Sequence, residues 1–167
     1  MLALAFLIPA VAVLVMVYAV AWPDRVLKFT LGPHGISVTL LAFLGLVALH
    51  EAIHGVTWAM MAGKPLRAVT YGFNWKVLTP YAHAHFPMTA RAYRVGALMP
   101  GIVLGLLPCL AAVVLGLPSL MLVGLLMTAA AGGDMAIVWM LRGVDARALV
   151  LDHPTRAGCW VLAPSPT

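Results

Sequence analysis

The residues best suited to chemistry are His50-Glu51-Ala52-Ile53-His54, which lie within the apolar stretch 38–61. On an α-helix, two histidines four positions apart share one face, so both imidazoles can reach one metal ion while Glu51 lies beside them. Zinc hydrolases use this spacing because two neutral nitrogens bind Zn²⁺ and the adjacent carboxylate takes a proton from the attacking water. The motif therefore predicts His50 and His54 as zinc ligands and Glu51 as the catalytic base.

The surroundings of the motif strengthen this prediction. Glu51 is the only glutamate in the chain, and its neighbours in the stretch are almost all apolar. Placing a carboxylate and two imidazoles in such a setting costs free energy unless a partner satisfies them. The alternative is a pair of core histidines and a helix-packing carboxylate that bind no metal.

Composition indicates where these residues lie. The chain is 63% hydrophobic and 9% charged, whereas soluble domains are about 25% charged. This composition predicts an integral membrane protein in contact with the lipid bilayer. Its 167 residues leave no room for a separate soluble domain, so we expect a single domain, 1–167. The net charge of +5 is better explained by topology signals than by nucleic acid binding.

Four apolar runs are long enough to cross a bilayer, and they predict an all-α membrane protein with about four transmembrane helices. The predicted spans are residues 2–22, 38–61, 95–115 and 120–141. An alternative for the first run is a cleaved signal peptide ending near Ala19-Val20-Ala21, but no Lys or Arg precedes the run. Pro100-Gly101 and Pro108 predict a kink in the third span. Residues 142–167 are predicted to form a polar tail.

The segment between the second and third spans has a different pattern. Gly63-Lys64-Pro65 should end the second helix. Aromatic and β-branched residues then recur between turn residues over 66–86, which predicts a short β-hairpin at the membrane surface. On a strand, His83 and His85 would point to one face. They are candidates for substrate contacts or for alternative metal ligands, and also for interfacial histidines without either role.

The distribution of basic residues predicts the orientation. With four spans, one side of the membrane holds eight of the ten Lys and Arg residues and the other holds only Arg25 and Lys28. The positive-inside rule then places both termini of this multi-pass membrane protein in the cytoplasm. The eight are Lys64, Arg67, Lys76, Arg91, Arg94, Arg142, Arg147 and Arg156.

Several motifs together resemble a known family. They are His50-Glu51-Ala52-Ile53-His54-Gly55, Tyr81 to Pro87, Tyr93 to Pro100, Gly133-Asp134 and Asp152-His153-Pro154. With them the chain resembles small bacterial membrane proteins grouped as zincin peptidases and, more distantly, site-2 proteases, which bind zinc inside the membrane. The resemblance implies Asp134 as the third zinc ligand.

The residues favour Asp134 independently. The four predicted spans contain only two carboxylates, Glu51 and Asp134, and an unpaired carboxylate in a bilayer needs a cation or a proton. Small residues just before Asp134 would let a neighbouring helix approach closely. The competitors for this position are His83, His85, Asp152 and His153.

The sequence thus predicts a membrane-embedded zinc metallopeptidase whose partner is a polypeptide in or near the membrane. The alternative is a metal-binding membrane protein without hydrolytic activity, either a sensor or part of a transport system. Only Glu51 argues specifically for hydrolysis. The sequence indicates neither the substrate's identity nor the oligomeric state.

Overall fold

The structure is a computed structural model, and it describes residues 2–25, 35–75, 79–154 and 156–162. The described part is mostly helical and contains two small antiparallel sheets. The helices are α1 (Leu2–Ala21), α2 (Gly35–Met61), α3 (Ala90–Pro100), α4 (Leu107–Leu115), α5 (Pro118–Ala130) and α6 (Gly132–Met140), with a π-helical segment, Gly101–Leu106, between α3 and α4. The strands are β1 (Val69–Asn74), β2 (Thr79–Ala84), β3 (Met88–Thr89), β4 (Leu149–Asp152) and β5 (Cys159–Val161).

The chain folds into two compact units, one made of Met1–Val47 and Pro100–Gly132 and the other of Ala48–Met99 and Gly133–Thr167. The first unit is helical, and its helices approach closely at small residues. A Cβ atom at Gly124 would collide with the Cys109 thiol and lie 2.7 Å from the carbonyl oxygen of Gly105. At one end of this unit, the Trp22 indole donates to the carbonyl of Val113 over 2.9 Å.

The second unit combines helices with both sheets. Strands β1 and β2 form an antiparallel hairpin, and the second sheet has the order β3-β4-β5. Between the sheets and the helices lies a core that includes Trp58, Phe86, Tyr93 and Val150. Helix α3 begins directly after β3, where the Thr89 hydroxyl caps the backbone N–H of Ala92 over 3.2 Å.

The predicted end of the second span is confirmed, and its physical cause is visible. Helix α2 stops at Met61, and Gly63 adopts a left-handed conformation with φ of 61°. The N–H groups of Gly63 and Lys64 return to the carbonyls of Met60 and Ala59 over 3.2 and 2.9 Å. These are the two hydrogen bonds of a Schellman motif, which favours glycine at this position.

Two to three helices are long and apolar enough to cross a membrane, so the prediction of four spans is not confirmed. Within the described residues, Leu40–Met61 and Ala90–Leu115 meet this criterion, and Leu7–Ala21 is a shorter apolar helix. The third candidate is a bent pair, α5 with α6, in place of the continuous helix predicted over 120–141. Gly132 and Gly133 follow the break, and glycine is a weak helix former, so two in succession favour an interruption there.

The sheets correct two other predictions. The hairpin predicted within 66–86 is present, but the class is not all-α because the tail also contributes strands. Leu149–Asp152 pairs with Met88–Thr89 on one side and with Cys159–Val161 on the other. The predicted polar tail therefore has ordered sheet structure. Its short apolar run places Val150 in the core, where the side chain is completely buried.

Some predictions concern residues outside the described ranges. Most of the predicted connection 24–35 lies there, as do Lys28 and Lys76. A kink was predicted near Pro100, and the structure has a π-helical segment, Gly101–Leu106, directly after that residue. Widened turns of this kind interrupt regular helical pairing and often occur near proline.

Candidate metal centre and cavity

Helix α2 places the predicted motif on one buried face. His50 and His54 are only 5% and 3% exposed, and their rings lie edge to face with centroids 4.8 Å apart. One potential ligand atom from each of His50, Glu51 and His54 lies within 4.8 Å of the others. The three residues are therefore positioned to bind a metal ion.

Asp134 completes a tight cluster from the first turn of α6. Its Oδ2 lies 3.1 Å from His50 Nε2, and its Oδ1 lies 3.3 Å from His54 Nε2. The two Nε2 atoms are themselves 3.2 Å apart. The structure thus brings two imidazoles of α2 together with a carboxylate of α6, although His50 and Asp134 are 84 residues apart in the chain.

The hydrogen bond on the far side of His54 determines which atoms in this cluster are acceptors. His54 Nδ1 lies 2.9 Å from the carbonyl oxygen of Gly96. A carbonyl oxygen can only accept, so Nδ1 carries the proton and the Nε2 of the neutral ring carries a lone pair. That lone pair faces a carboxylate oxygen of Asp134, which is also an acceptor. The contact is repulsive unless a cation or a proton lies between the two atoms.

The donor set fits a zinc ion. Zinc bonds of about 2.0–2.1 Å in a tetrahedral arrangement place neighbouring ligand atoms about 3.3–3.4 Å apart. The three separations in the cluster, 3.1, 3.2 and 3.3 Å, are close to this spacing. A neutral His50 could donate only one hydrogen bond from Nε2, either to Asp134 or to His54. A divalent cation would instead bind both Nε2 atoms and the carboxylate. Within the described residues, His50 Nδ1 is buried without a hydrogen-bond partner.

Aromatic packing holds His54 in this orientation. Its ring stacks on Trp58 with centroids 5.2 Å apart, and Trp58 stacks on Tyr93 at the same distance. The Trp58 indole donates to the carbonyl of Tyr93 over 3.1 Å. Gly96 lies so close that a Cβ atom there would collide with the Trp58 ring. The glycine therefore lets α3 approach α2 closely enough for its carbonyl to reach His54.

Glu51 faces a cavity of about 680 Å³ in the second unit. Its Oε2 accepts a hydrogen bond of 2.8 Å from the backbone N–H of Ala82 in β2. The predicted hairpin thus contacts the carboxylate directly. The residues that line the cavity include Glu51, His54, Asp134, His83, Tyr93, Asp152 and Arg156. This volume falls within the range of small-molecule and peptide sites.

The two remaining candidate histidines have other partners. His83 Nδ1 lies 2.9 Å from Asp152 Oδ2, and His83 lines the cavity. His85 Nε2 lies 2.7 Å from the Thr70 hydroxyl. Their rings meet edge to face at 4.3 Å; His83 lies in β2, and His85 directly follows the last residue of that strand. Asp152, a competitor for the third ligand position, binds His83, while Asp134 contacts the His50–His54 pair.

Sequence reasoning missed the supporting residues. Trp58, Tyr93 and Gly96 orient His54 or contact Asp152. Tyr93 and Gly96 lie within the Tyr93 to Pro100 motif of the family resemblance, but that motif predicted no role for either residue. Trp58 was detectable in principle, since it lies four residues after His54 and hence on the same helical face. The roles of Gly96 and Tyr93 could not be read from the sequence, because they depend on contacts between α2 and α3.

Comparison with known families agrees with this geometry. The model of a family described as "Putative zincin peptidase" matches residues 43–149. The chain belongs to this family. No curated protein and no solved structure matches the chain. The range that matches the zincin peptidase family contains the whole cluster and His83, but ends three residues before Asp152.

Two groups outside the candidate spans, Tyr71 and Cys159, have shifted pKa values. Burial and the nearby charge of Glu51 raise the pKa of Tyr71. Partial burial, and then the charge of Asp152, raise the pKa of Cys159 to about 11. The Cys159 thiol is therefore protonated, and unreactive, at neutral pH.

The pKa of Cys159 gives a test of the β4–β5 pairing. In a Cys109→Ala background, which leaves Cys159 as the only thiol, iodoacetamide should react slowly at pH 8, since only about one thiol in a thousand is ionised there. The rate should rise about tenfold per pH unit between pH 8 and 10. Adding Asp152→Asn should increase the rate at pH 8, because it removes the negative charge beside the thiolate. A rate that levels off below pH 9 would contradict this placement of Cys159.

Proposed function

We propose that the chain is a membrane-embedded zinc metallopeptidase that hydrolyses peptide bonds of a polypeptide in or next to the membrane. The observation that carries the proposal is the cluster of His50 Nε2, His54 Nε2 and Asp134 Oδ atoms, separated by 3.1–3.3 Å, beside Glu51. In the proposed site, His50, His54 and Asp134 hold zinc. When bound, zinc supplies Lewis-acid chemistry, polarising a carbonyl group and lowering the pKa of water.

Glu51 would move the protons. Its Oε2 accepts the N–H of Ala82, so Oε1 retains the lone pairs with which to take a proton. As the water oxygen attacks the carbonyl carbon, its proton passes to Glu51. The carboxyl group then gives that proton to the amide nitrogen as the C–N bond breaks. The hydrogen bond from Ala82 fixes the carboxylate during both transfers.

The cavity favours hydrolysis over metal binding alone. A sensor or a transport component would need the three ligands but would not need a cavity of about 680 Å³ beside Glu51. This volume lies within the range of about 300–1,000 Å³ that is typical of ligand sites, so the cavity has room for a short segment of a polypeptide. The hairpin that holds Glu51 also lines this cavity, so a polypeptide bound there would lie against the proposed base.

Membrane insertion is supported by the apolar candidate spans and by exposed side chains such as Leu40, Leu44, Val114 and Leu115. We further propose a multi-pass topology of four crossings in the bacterial cell membrane, with α1 and the bent pair each counted as one. The eight-to-two distribution of basic residues supports cytoplasmic termini.

Zinc content tests the proposed ligands. The purified protein should contain about one zinc per chain, and His50→Ala and His54→Ala should abolish it. Asp134→Asn should weaken zinc binding at least about tenfold, since loss of even an indirect metal contact has such an effect. Asp152→Asn is the matched control, because it makes the same change to another carboxylate of the same cavity. Zinc retained in Asp134→Asn and lost in Asp152→Asn would refute the assignment, as would wild-type protein without zinc.

Glu51→Gln distinguishes an enzyme from a metal-binding protein. The variant should retain zinc, because Glu51 is not a proposed ligand, and should lose at least about a hundredfold in cleavage rate, the usual contribution of a general base. The measurement is mass spectrometry of a defined peptide mixture incubated with each protein in liposomes. If wild type and Glu51→Gln cleave equally, the peptidase proposal fails and the metal-binding alternative gains support.

Reporter fusions test the topology. Fusions after Thr167 and within the segment 64–94 should report the cytoplasm, and a fusion near Pro33 should report the exterior, because basic residues are retained inside. Replacing Lys64 and Arg67 with glutamine provides a control for the charge argument, since it should weaken the bias without changing the apolar spans. A C-terminal reporter found outside would exclude four crossings with this orientation.

A further inference from the structure

His83 lines the proposed catalytic cavity, and the peptidase mechanism above does not use it. Its Nδ1 lies 2.9 Å from Asp152 Oδ2. Both residues line the same cavity as Glu51, His54 and Asp134. The side chains of His83 and Asp152 are only 12% and 9% exposed. A buried, paired histidine in this position therefore requires an explanation of its own.

Asp152 determines which nitrogen of His83 is available. The carboxylate receives three hydrogen bonds: from His83 Nδ1, from the backbone N–H of Ala84 over 3.2 Å, and from the Tyr93 hydroxyl over 2.8 Å. An ionised carboxylate can only accept, so His83 Nδ1 carries the proton. The Nε2 of the neutral ring then carries a lone pair. Any polar contact between His83 and a molecule in the cavity must use Nε2.

The packing around His83 keeps the ring in place. The ring of His85 lies edge to face against it at 4.3 Å, and Tyr93, which binds the other oxygen of Asp152, is stacked on Trp58. A side chain held by hydrogen bonds and ring contacts loses little conformational freedom when it binds a ligand. The lone pair of His83 is therefore pre-organised as an acceptor.

We propose that His83 is a substrate-binding residue whose Nε2 accepts a hydrogen bond from a backbone N–H of the polypeptide, and that Asp152 is the positioning residue that holds the ring. This inference rests on the proposed peptidase function. His83 directly follows Ala82, whose N–H holds Glu51. Adjacent strand residues are about 3.3 Å apart along the strand, so the contact would lie within one or two residues of the scissile bond.

Hydroxamate probes test the contact without turnover. We would measure the affinity of zinc-loaded protein in detergent for acetohydroxamate, for an N-acetylated dipeptide hydroxamate, and for analogues of the latter with each backbone N–H methylated in turn. His83→Ala should weaken the dipeptide probe about fivefold, the effect of one net hydrogen bond, and should leave acetohydroxamate unchanged. Methylation of the one N–H that contacts His83 should weaken binding to the wild type by a similar factor. The same methylation should not weaken binding to His83→Ala, which already lacks the contact.

His153→Ala is the matched control, because His153 is another histidine of the same cavity and its Nδ1 accepts the backbone N–H of Arg156 over 3.1 Å. It should bind all probes like wild type. Asp152→Ala should reproduce the loss seen in His83→Ala. Asp152→Asn should retain most of the affinity, because its amide oxygen can replace Oδ2 while its NH₂ group faces the Tyr93 hydroxyl, which can accept. Equal losses in His83→Ala and His153→Ala, or additive effects of His83→Ala and every N-methylation, would overturn the proposal.

The tautomer of His83 provides a test that does not depend on zinc. In ¹⁵N spectra of histidine-labelled protein, with His83→Gln used for assignment, His83 should be protonated at Nδ1 in wild type and should lose this preference in Asp152→Ala. If the protein binds neither zinc nor hydroxamates but His83 has this tautomer, the peptidase proposal fails and the positioning role of Asp152 stands. An Nε2-protonated His83 in wild type would overturn the proposed contact whatever the zinc content.

Discussion

The close approach of Asp134 to two imidazole nitrogens is the interaction on which the second unit depends. His54 Nε2 and Asp134 Oδ1 are 3.3 Å apart, and both are acceptors once Gly96 fixes the proton of His54 on Nδ1. In an apolar setting such a contact is costly unless a positive charge relieves it. Among the described residues, no Lys or Arg forms an ion pair with Asp134, so a bound cation would supply the positive charge that this contact needs.

The surrounding fold can be understood as the means of holding this contact. Helix α2 supplies two ligands one turn apart, and the glycine pair after Ala131 starts a new helix whose first turn presents Asp134. The stack of His54, Trp58 and Tyr93 connects the cluster to Asp152 and hence to the sheet of the tail. Residues from three distant parts of the chain are thereby fixed around one cavity.

The sequence predicted the features that depend on local residue spacing or on the small number of carboxylates in the apolar runs. The pairing of His50 with His54 follows from helical periodicity, and Asp134 was found because so few carboxylates lie in the apolar runs. The break at Ala131 and the sheet β3-β4-β5 were not predicted, since strand pairing between Met88 and Val150 is a long-range contact. A local signal existed, because Leu149-Val150-Leu151 is a short apolar run typical of a strand. The contact between Gly96 and Trp58 had no such signal, because close approach depends on how α2 and α3 pack.

The three carboxylates that line the cavity differ in their hydrogen-bond partners, and these differences indicate different roles. The chain has five acidic residues, and Glu51, Asp134 and Asp152 all line the one cavity. Asp152 accepts three hydrogen bonds and has little capacity to accept more, which suits a residue that orients another side chain. Asp134 faces two imidazoles, which suits a ligand. Glu51 accepts a single N–H and keeps most of its lone pairs. A base needs an oxygen that neither a donor nor a metal ion occupies. With a cation on Asp134, Glu51 is the one of the three carboxylates best able to take a proton.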